Sequence, residues 1–263
     1  MKRNMRFKNW YPDNLWEIKS YIPAVRSKKD VLAMIVPHAG WIYSGKTAGI
    51  VYASANVCDT YIIFCPSHTG LGAEVAVYPS GAWETPLGDM EVDSGLAKQI
   101  IKNSKFAEAD FTAHIMEHSI EVQLPFIKAL NPNAKIVPIC LMTHDYDRCS
   151  DIAGAVYAAV NELHGVKTAV VASTDMSHYS NASIAKICDD MAIYQILSLD
   201  PKGLLDTVEE KNISMCGVVP TAASVMYSKL KGAKKSELLR YSNSGEVTGD
   251  FTEVVGYAGM IVY

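Results

Sequence analysis

Val31-Leu32-Ala33-Met34-Ile35-Val36-Pro37-His38-Ala39-Gly40-Trp41-Ile42-Tyr43-Ser44-Gly45-Lys46-Thr47 is the run from which the fold is read. Its first six residues are apolar and half of them are β-branched, which suits a strand covered on both faces. Pro37 cannot donate to a ladder, so the strand stops and His38 falls directly beyond it. In an open α/β sheet, ligands bind in the crevice outside the carboxyl ends of the strands. One stretch thus points to both a fold class and a place for chemistry.

The same stretch carries a rival reading. Gly40 to Thr47 satisfies the spacing G-x-x-x-x-G-K-[ST] of a phosphate-binding loop, and a strand ending in Asp exists at Val170 to Asp175. Such a loop must wrap its backbone N–H groups around an anion, and Trp41-Ile42-Tyr43 crowds that cradle. A nucleotide binder is therefore the third of three functional readings.

Working outward, the grammar of strand, Pro, His and Gly recurs. Tyr61 to Cys65 runs into Pro66-Ser67-His68-Thr69-Gly70, and Lys167 to Ser173 runs into Thr174-Asp175-Met176-Ser177-His178-Tyr179. Ser44 to Ala55 is expected to be a helix packed closely on a sheet, and Glu74 to Tyr78 a half-exposed strand. Trp83 to Val92 reads as a hairpin return, and Asp93 as the N-cap of a helix to about Lys102. Glu117 to Leu130 reads as an amphipathic helix kinked or broken at Pro125, and Ile136 to Leu141 as a strand weakened by Pro138. Helices are expected at Arg148 to Leu163, Ala182 to Leu199, Pro201 to Glu210 and Pro220 to Leu230. Closing strands follow at Leu238 to Asn243 and Val254 to Tyr263. Residues 1–30, with Trp10, Tyr11, Trp16 and Tyr21, lie across the body. Without repeats or linkers, the economical organisation is one domain over residues 1–263.

Composition narrows the function classes. With 49% hydrophobic residues the 263-residue chain can bury a large core, and a formal charge of −4 with scattered lysines argues against a nucleic-acid partner. No run approaches the roughly 18 apolar residues of a membrane span, and the N-terminus lacks the apolar core of a secretory signal. Six cysteines without a C-x-x-C pair or a dense framework fit a reducing, cytoplasmic setting.

His38, His68, Asp175 with His178, and Cys216 are the candidate functional residues. If the strands before the first three sites are parallel neighbours, their loops meet at one sheet edge. Cys216 can join them from a helix start, where the dipole favours thiolate. Two imidazoles with Cys or Asp make a reasonable ligand set for a divalent metal with an open position. Taken singly, each residue is more simply a surface histidine, a turn cap or a small buried thiol; repetition of the strand-end context is what raises them. His114, His144 and His164 read as surface residues, and Glu117-His118 as part of an ordinary helix.

Taken together, Pro37 to Gly45, Pro66-Ser67-His68, Glu117 to Pro125, Ser173 to Tyr179, Met215-Cys216-Gly217, Thr248-Gly249-Asp250 and Val255 to Gly259 resemble the Memo family, whose prokaryotic members are called AmmeMemoRadiSam system protein B. The resemblance implies a fold similar to class III (LigB-type) extradiol dioxygenases, a three-layer α/β/α sandwich around a mixed, largely parallel sheet holding a non-haem metal. It implies His38, His68 and Cys216 as metal ligands, with Asp175 and His178 beside them as catalytic groups. Those dioxygenases use a carboxylate where this sequence places Cys216. The leading expectation is a metal-dependent oxidoreductase, iron first by analogy and copper or zinc by ligand softness, acting on an unidentified small molecule. There Asp175 orients His178 as acid or base. The alternative is a non-enzymatic adaptor that binds a peptide, small ligand or protein partner in the same pocket.

Overall fold

The computed structural model describes residues 1–143 and 145–263; His144, expected at the surface, lies outside the described residues. In chain order the elements are β1 (Lys2–Arg3), α1 (Leu15–Ser20), β2 (Ala33–Val36), α2 (Trp41–Ser54), β3 (Thr60–Pro66), β4 (Val75–Val77), β5 (Ala82–Trp83), β6 (Met90–Glu91), α3 (Ser94–Asn103), β7 (Glu108–Ala109), α4 (Leu124–Leu130) and β8 (Lys135–Leu141). They continue with α5 (Tyr146–Asn161), β9 (Thr168–Ser173), α6 (Ala182–Leu197), α7 (Pro201–Glu210), α8 (Val218–Leu230), β10 (Ser236–Asn243), α9 (Gly245–Thr248) and β11 (Gly256–Val262).

Eight strands form the main sheet in the order β10-β11-β2-β9-β3-β8-β4-β7, and β1, β5 and β6 form a small second sheet. The central strands β2, β9, β3 and β8 are parallel, while β11 and β4 join antiparallel on either side. Alternation along β2 sorts the two cores. Ala33 and Ile35 face a cluster built from α3 and α5 to α8, whereas Met34 and Val36 face one built from α2, α4 and the N-terminal segment. The result is the expected α/β/α arrangement, with hydrophobic strands buried on both faces.

Several local expectations change. The phosphate-loop reading fails: Trp41–Ser54 is helical from its second motif residue, leaving no loop to wrap a phosphate. Thr47 is buried, bonded to Ser242 Oγ at 2.6 Å, and Lys46 points to solvent. β4 is wholly buried rather than half-exposed, since β7 and β8 flank it and both faces are covered. Glu117 to Leu130 is no continuous helix: a 3-10 turn at Glu121–Gln123 precedes α4, with Pro125 in the first turn of α4, where its missing N–H costs little. Pro138 is tolerated inside β8 for a comparable reason. Its carbonyl accepts from Tyr78 N–H at 2.9 Å, so its missing donor faces the same side, where the β4 ladder has ended, and pairing with β3 is untouched. His114, expected at the surface, is fully buried with Nε2 on the carbonyl of Ala76 at 3.2 Å. No helix among the described residues is long and apolar enough to cross a membrane.

Candidate metal centre

Parallel order brings the strand ends together. β2, β9 and β3 are consecutive in the sheet, so the residues after Val36, Ser173 and Pro66 emerge side by side. His38, Asp175 and His68 come from those three ends. Cys216 arrives from the loop before α8, docked by Gly217, whose N–H bonds Thr174 Oγ1 at 3.0 Å. A Cβ on Gly217 would lie 2.4 Å from the Thr174 side chain and 2.7 Å from the Ser173 carbonyl, so only glycine lets this loop approach the sheet edge. One donor atom each from His38, His68 and Cys216 lies within 4.8 Å of the others, which a single metal ion can span.

A hydrogen-bond chain assigns the His38 tautomer. Gln123 is fixed by Tyr52 Oη, which donates to its Oε1 at 3.0 Å, and its Nε2 donates to the Pro37 carbonyl and to Ser173 Oγ at 2.9 and 3.0 Å. Ser173 Oγ spends its own proton on the Ser119 carbonyl at 2.7 Å. It can therefore only accept from His38 Nδ1, 3.1 Å away, so Nδ1 carries the hydrogen and Nε2 offers a lone pair. That Nε2 lies 3.2 Å from Cys216 Sγ.

Glu117 does the same for His68. Its Oε1 accepts from His68 Nδ1 at 2.9 Å and from Ser119 Oγ at 2.5 Å, and its Oε2 accepts from the His68 N–H at 2.7 Å. Nε2 of His68 is thereby turned to the open side, the carboxylate–histidine pattern common behind metal ligands. Burial works to raise the Glu117 carboxyl, but the bonds from His68 and Ser119 outweigh it and hold it well below the usual range. Burial likewise works to lower the His68 imidazole, and the Glu117 bond and charge raise it. His38 is pushed well down, by burial first and then by the neighbouring imidazoles His118 and His68.

Cys216 corrects one expectation. Burial, then the Asp175 charge, pushes its thiol up, so the helix start that follows does not make it a thiolate in the metal-free protein. The thiol sits under the Asp175 N–H, 3.4 Å from it. Asp175 is not hydrogen-bonded to His178. Its Oδ1 accepts from the N–H groups of His38 and Ala39 at 2.8 and 3.3 Å, and burial raises it to about 6. His178 is oriented instead by Ser214, whose Oγ accepts from the His178 N–H at 2.7 Å and whose carbonyl accepts from Nδ1 at 2.9 Å.

Sequence reasoning passed over Glu117, His118, Ser119 and Gln123. His118 lies with its ring centroid 4.5 Å from that of His68 and 5.2 Å from that of His38, packed against Trp10 at 4.7 Å. Burial lowers it to about 4. A second possible donor group, His68, Glu117 and His118, shares His68 with the first. Glu117 already accepts four hydrogen bonds there, so His38, His68 and Cys216 form the better-fitted set. The available signal was the Glu117-His118-Ser119 run ahead of Pro125, a proline that a continuous helix from Glu117 could not carry without a kink.

Above the donors lies a cavity of about 870 Å³ lined by His38, His68, His118, Asp175 and His178 among aromatic residues. A divalent or redox metal fits the residues present: two imidazole lone pairs held by second partners, and a soft sulfur able to ionise on binding.

Comparison with known proteins gives one consistent result. The profile described as Memo, Memo-like protein, matches residues 8–261. A MEMO1 family protein of Methanothermobacter thermautotrophicus is 43% identical over 240 residues, covering 90% of this chain and 86% of that protein. One from Methanosarcina barkeri is 41% identical over 254 residues, covering 95% and 94%.

Proposed function

Because the chain belongs to the Memo-like protein family, we propose that it is a cytoplasmic metal-dependent oxidoreductase acting on a small molecule, with His38, His68 and Cys216 as the ligands. The observation that carries this reading is the locked pair of Nε2 lone pairs converging with one sulfur, the two imidazoles lining a large cavity. Bound there, a redox-active ion supplies Lewis acidity and electron transfer at an open position. Iron leads by analogy of fold, and the thiolate with two imidazoles suits copper or zinc by softness.

The chain's own residues do the rest. Ser173 and Glu117 hold both imidazoles in the donor tautomer, and Asp175 pins the peptide that carries His38. Cys216 gives up its proton on metal binding. His178, anchored through Nδ1 on Ser214, presents Nε2 to the cavity as the group that takes and returns a substrate proton. Six free cysteines support a reducing compartment.

The test is elemental analysis of protein purified without chelator, expected to give about one metal per chain. Protein that is metal-free and takes up no iron, copper or zinc would contradict the reading. It would leave the adaptor alternative, which the exposed aromatics Trp10 and Tyr179 at the cavity mouth favour. In metal-loaded protein under air, His178→Ala should slow turnover of a phenolic or thiol substrate by about 10²–10⁴-fold with metal retained. Full activity in that variant would remove His178 from the mechanism.

A further inference from the structure

The cavity has two ends of different chemistry. Its buried lining includes the donor imidazole of His38 and the ring of Tyr257, and its exposed lining includes Trp10, Tyr43 and Tyr179 with the carboxylate of Glu253. No lysine or arginine lines it among the described residues. The turn that leads into α2 already holds the protein's own carboxylate: Asp175 Oδ1 accepts from the N–H groups of His38 and Ala39, just before the helix start. Glu117 sets a second buried carboxylate behind His68, so the carboxylates near the donors face no lysine or arginine of the lining, and the outer residues set the preferred ligand charge.

The mouth is built for display. Tyr179 is 77% exposed and holds a left-handed backbone at φ 56°, a conformation that disfavours a bulky residue and that no burial of its ring offsets. Trp10 and Tyr43 are 37% and 40% exposed. Aromatic faces around a space with one carboxylate attract a cation and offer an anion nothing.

Building on the metal-site reading, we propose that the ligand of this cavity is a small organic cation, an amine or methylated ammonium compound whose charged end rests among Trp10, Tyr43, Tyr179 and Tyr257 beside Glu253. Its other end reaches the metal floor. Phosphates, nucleotides and simple carboxylates are discriminated against at the mouth.

Binding of three isosteric probes to the metal-loaded chain tests this: choline, neutral 3,3-dimethylbutanol and anionic 3,3-dimethylbutyrate, followed by calorimetry. Choline and dimethylbutanol carry the same hydroxyl, so contact with the metal is common to both and their ratio reads the mouth; dimethylbutyrate, whose carboxylate can ligate the metal, is compared on the metal-free chain. Choline should bind on the order of tenfold tighter than the neutral probe, and the anion weakest. Glu253→Gln and Tyr179→Leu, both at exposed positions, should each narrow the choline-to-butanol ratio several-fold. The inference is overturned if dimethylbutanol binds as well as choline, if dimethylbutyrate does so on the metal-free chain, if no choline binding is detected at millimolar concentration, or if neither substitution changes the ratio. Metal content measured on the same sample keeps the two readings apart. A lost cation preference at one metal per chain sinks only this inference, whereas absent metal sinks the reading beneath it.

Discussion

A proton on Nδ1 of His38 and of His68 is the smallest feature on which the site depends, because each leaves Nε2 free to donate. Glu117 holds the second of these protons from a position with no contact to the open side. Glu117→Ala should weaken metal affinity by about 10- to 100-fold in a chelator-competition titration, with the fold retained by circular dichroism. Unchanged affinity would mean that His68 is oriented by something other than this carboxylate. Cys216 makes a separate prediction. Its thiol is protonated before metal binds, so binding releases a proton and apparent affinity should rise roughly tenfold per pH unit across neutrality, measured by titration in buffers of differing ionisation enthalpy. Cys216→Asp should flatten that slope, since its carboxyl ionises at lower pH, while shifting preference from copper and zinc towards iron(II).

Among the elements, the N-terminal segment decides the shape of the cavity, and Glu121 decides the segment. Glu121 accepts from Arg3 Nη1 and Tyr11 Oη, both at 2.6 Å and buried, and from the half-buried Phe7 N–H at 2.8 Å. Arg3 also donates to the carbonyls of His114 and Glu117, tying the segment to the stretch that carries His118. Removing the carboxylate strands a buried guanidinium, a loss of about 3–5 kcal/mol for broken buried pairs. Glu121→Gln should therefore release residues 1–12, seen as faster hydrogen exchange there and altered tryptophan emission; unchanged protection would contradict it. Beneath the segment, buried His114 is held neutral, lowered to about 4 by burial against an ordinary value of 6.5. The unfolded chain protonates this group first, so its contribution is complete above pH 6.5 and is lost as pH falls towards 4, up to about 3 kcal/mol. Denaturant midpoints of His114→Gln should fall less steeply across that window than those of the native chain.

At the scale of the whole molecule, the sequence made the sheet legible because continuous apolar runs such as Tyr61 to Cys65 fit little else, and because Pro37 and Pro66 mark where strands stop. It made His38, His68, Asp175 and His178 legible through their repeated place after those strands and Cys216 through its place at a helix start, and resemblance singled out His38, His68 and Cys216 as ligands. Other parts were written in tertiary contacts. Glu117 to Gln123 lacks helical regularity because its side chains serve the strand ends, a role that no periodicity encodes. Glu74 to Tyr78 alternates like an exposed strand but is covered on both faces, and His178 is oriented by Ser214, whose proximity exists only in the fold. The proposed metal centre requires that two strand ends and one helix approach supply a His, His, Cys donor set. X-ray absorption on the copper- or zinc-loaded chain tests it most directly. One sulfur at about 2.3 Å and two imidazole nitrogens at about 2.0–2.1 Å are predicted, with the sulfur lost in Cys216→Ser. A shell of nitrogen and oxygen alone, with Cys216 still open to alkylation, would contradict it.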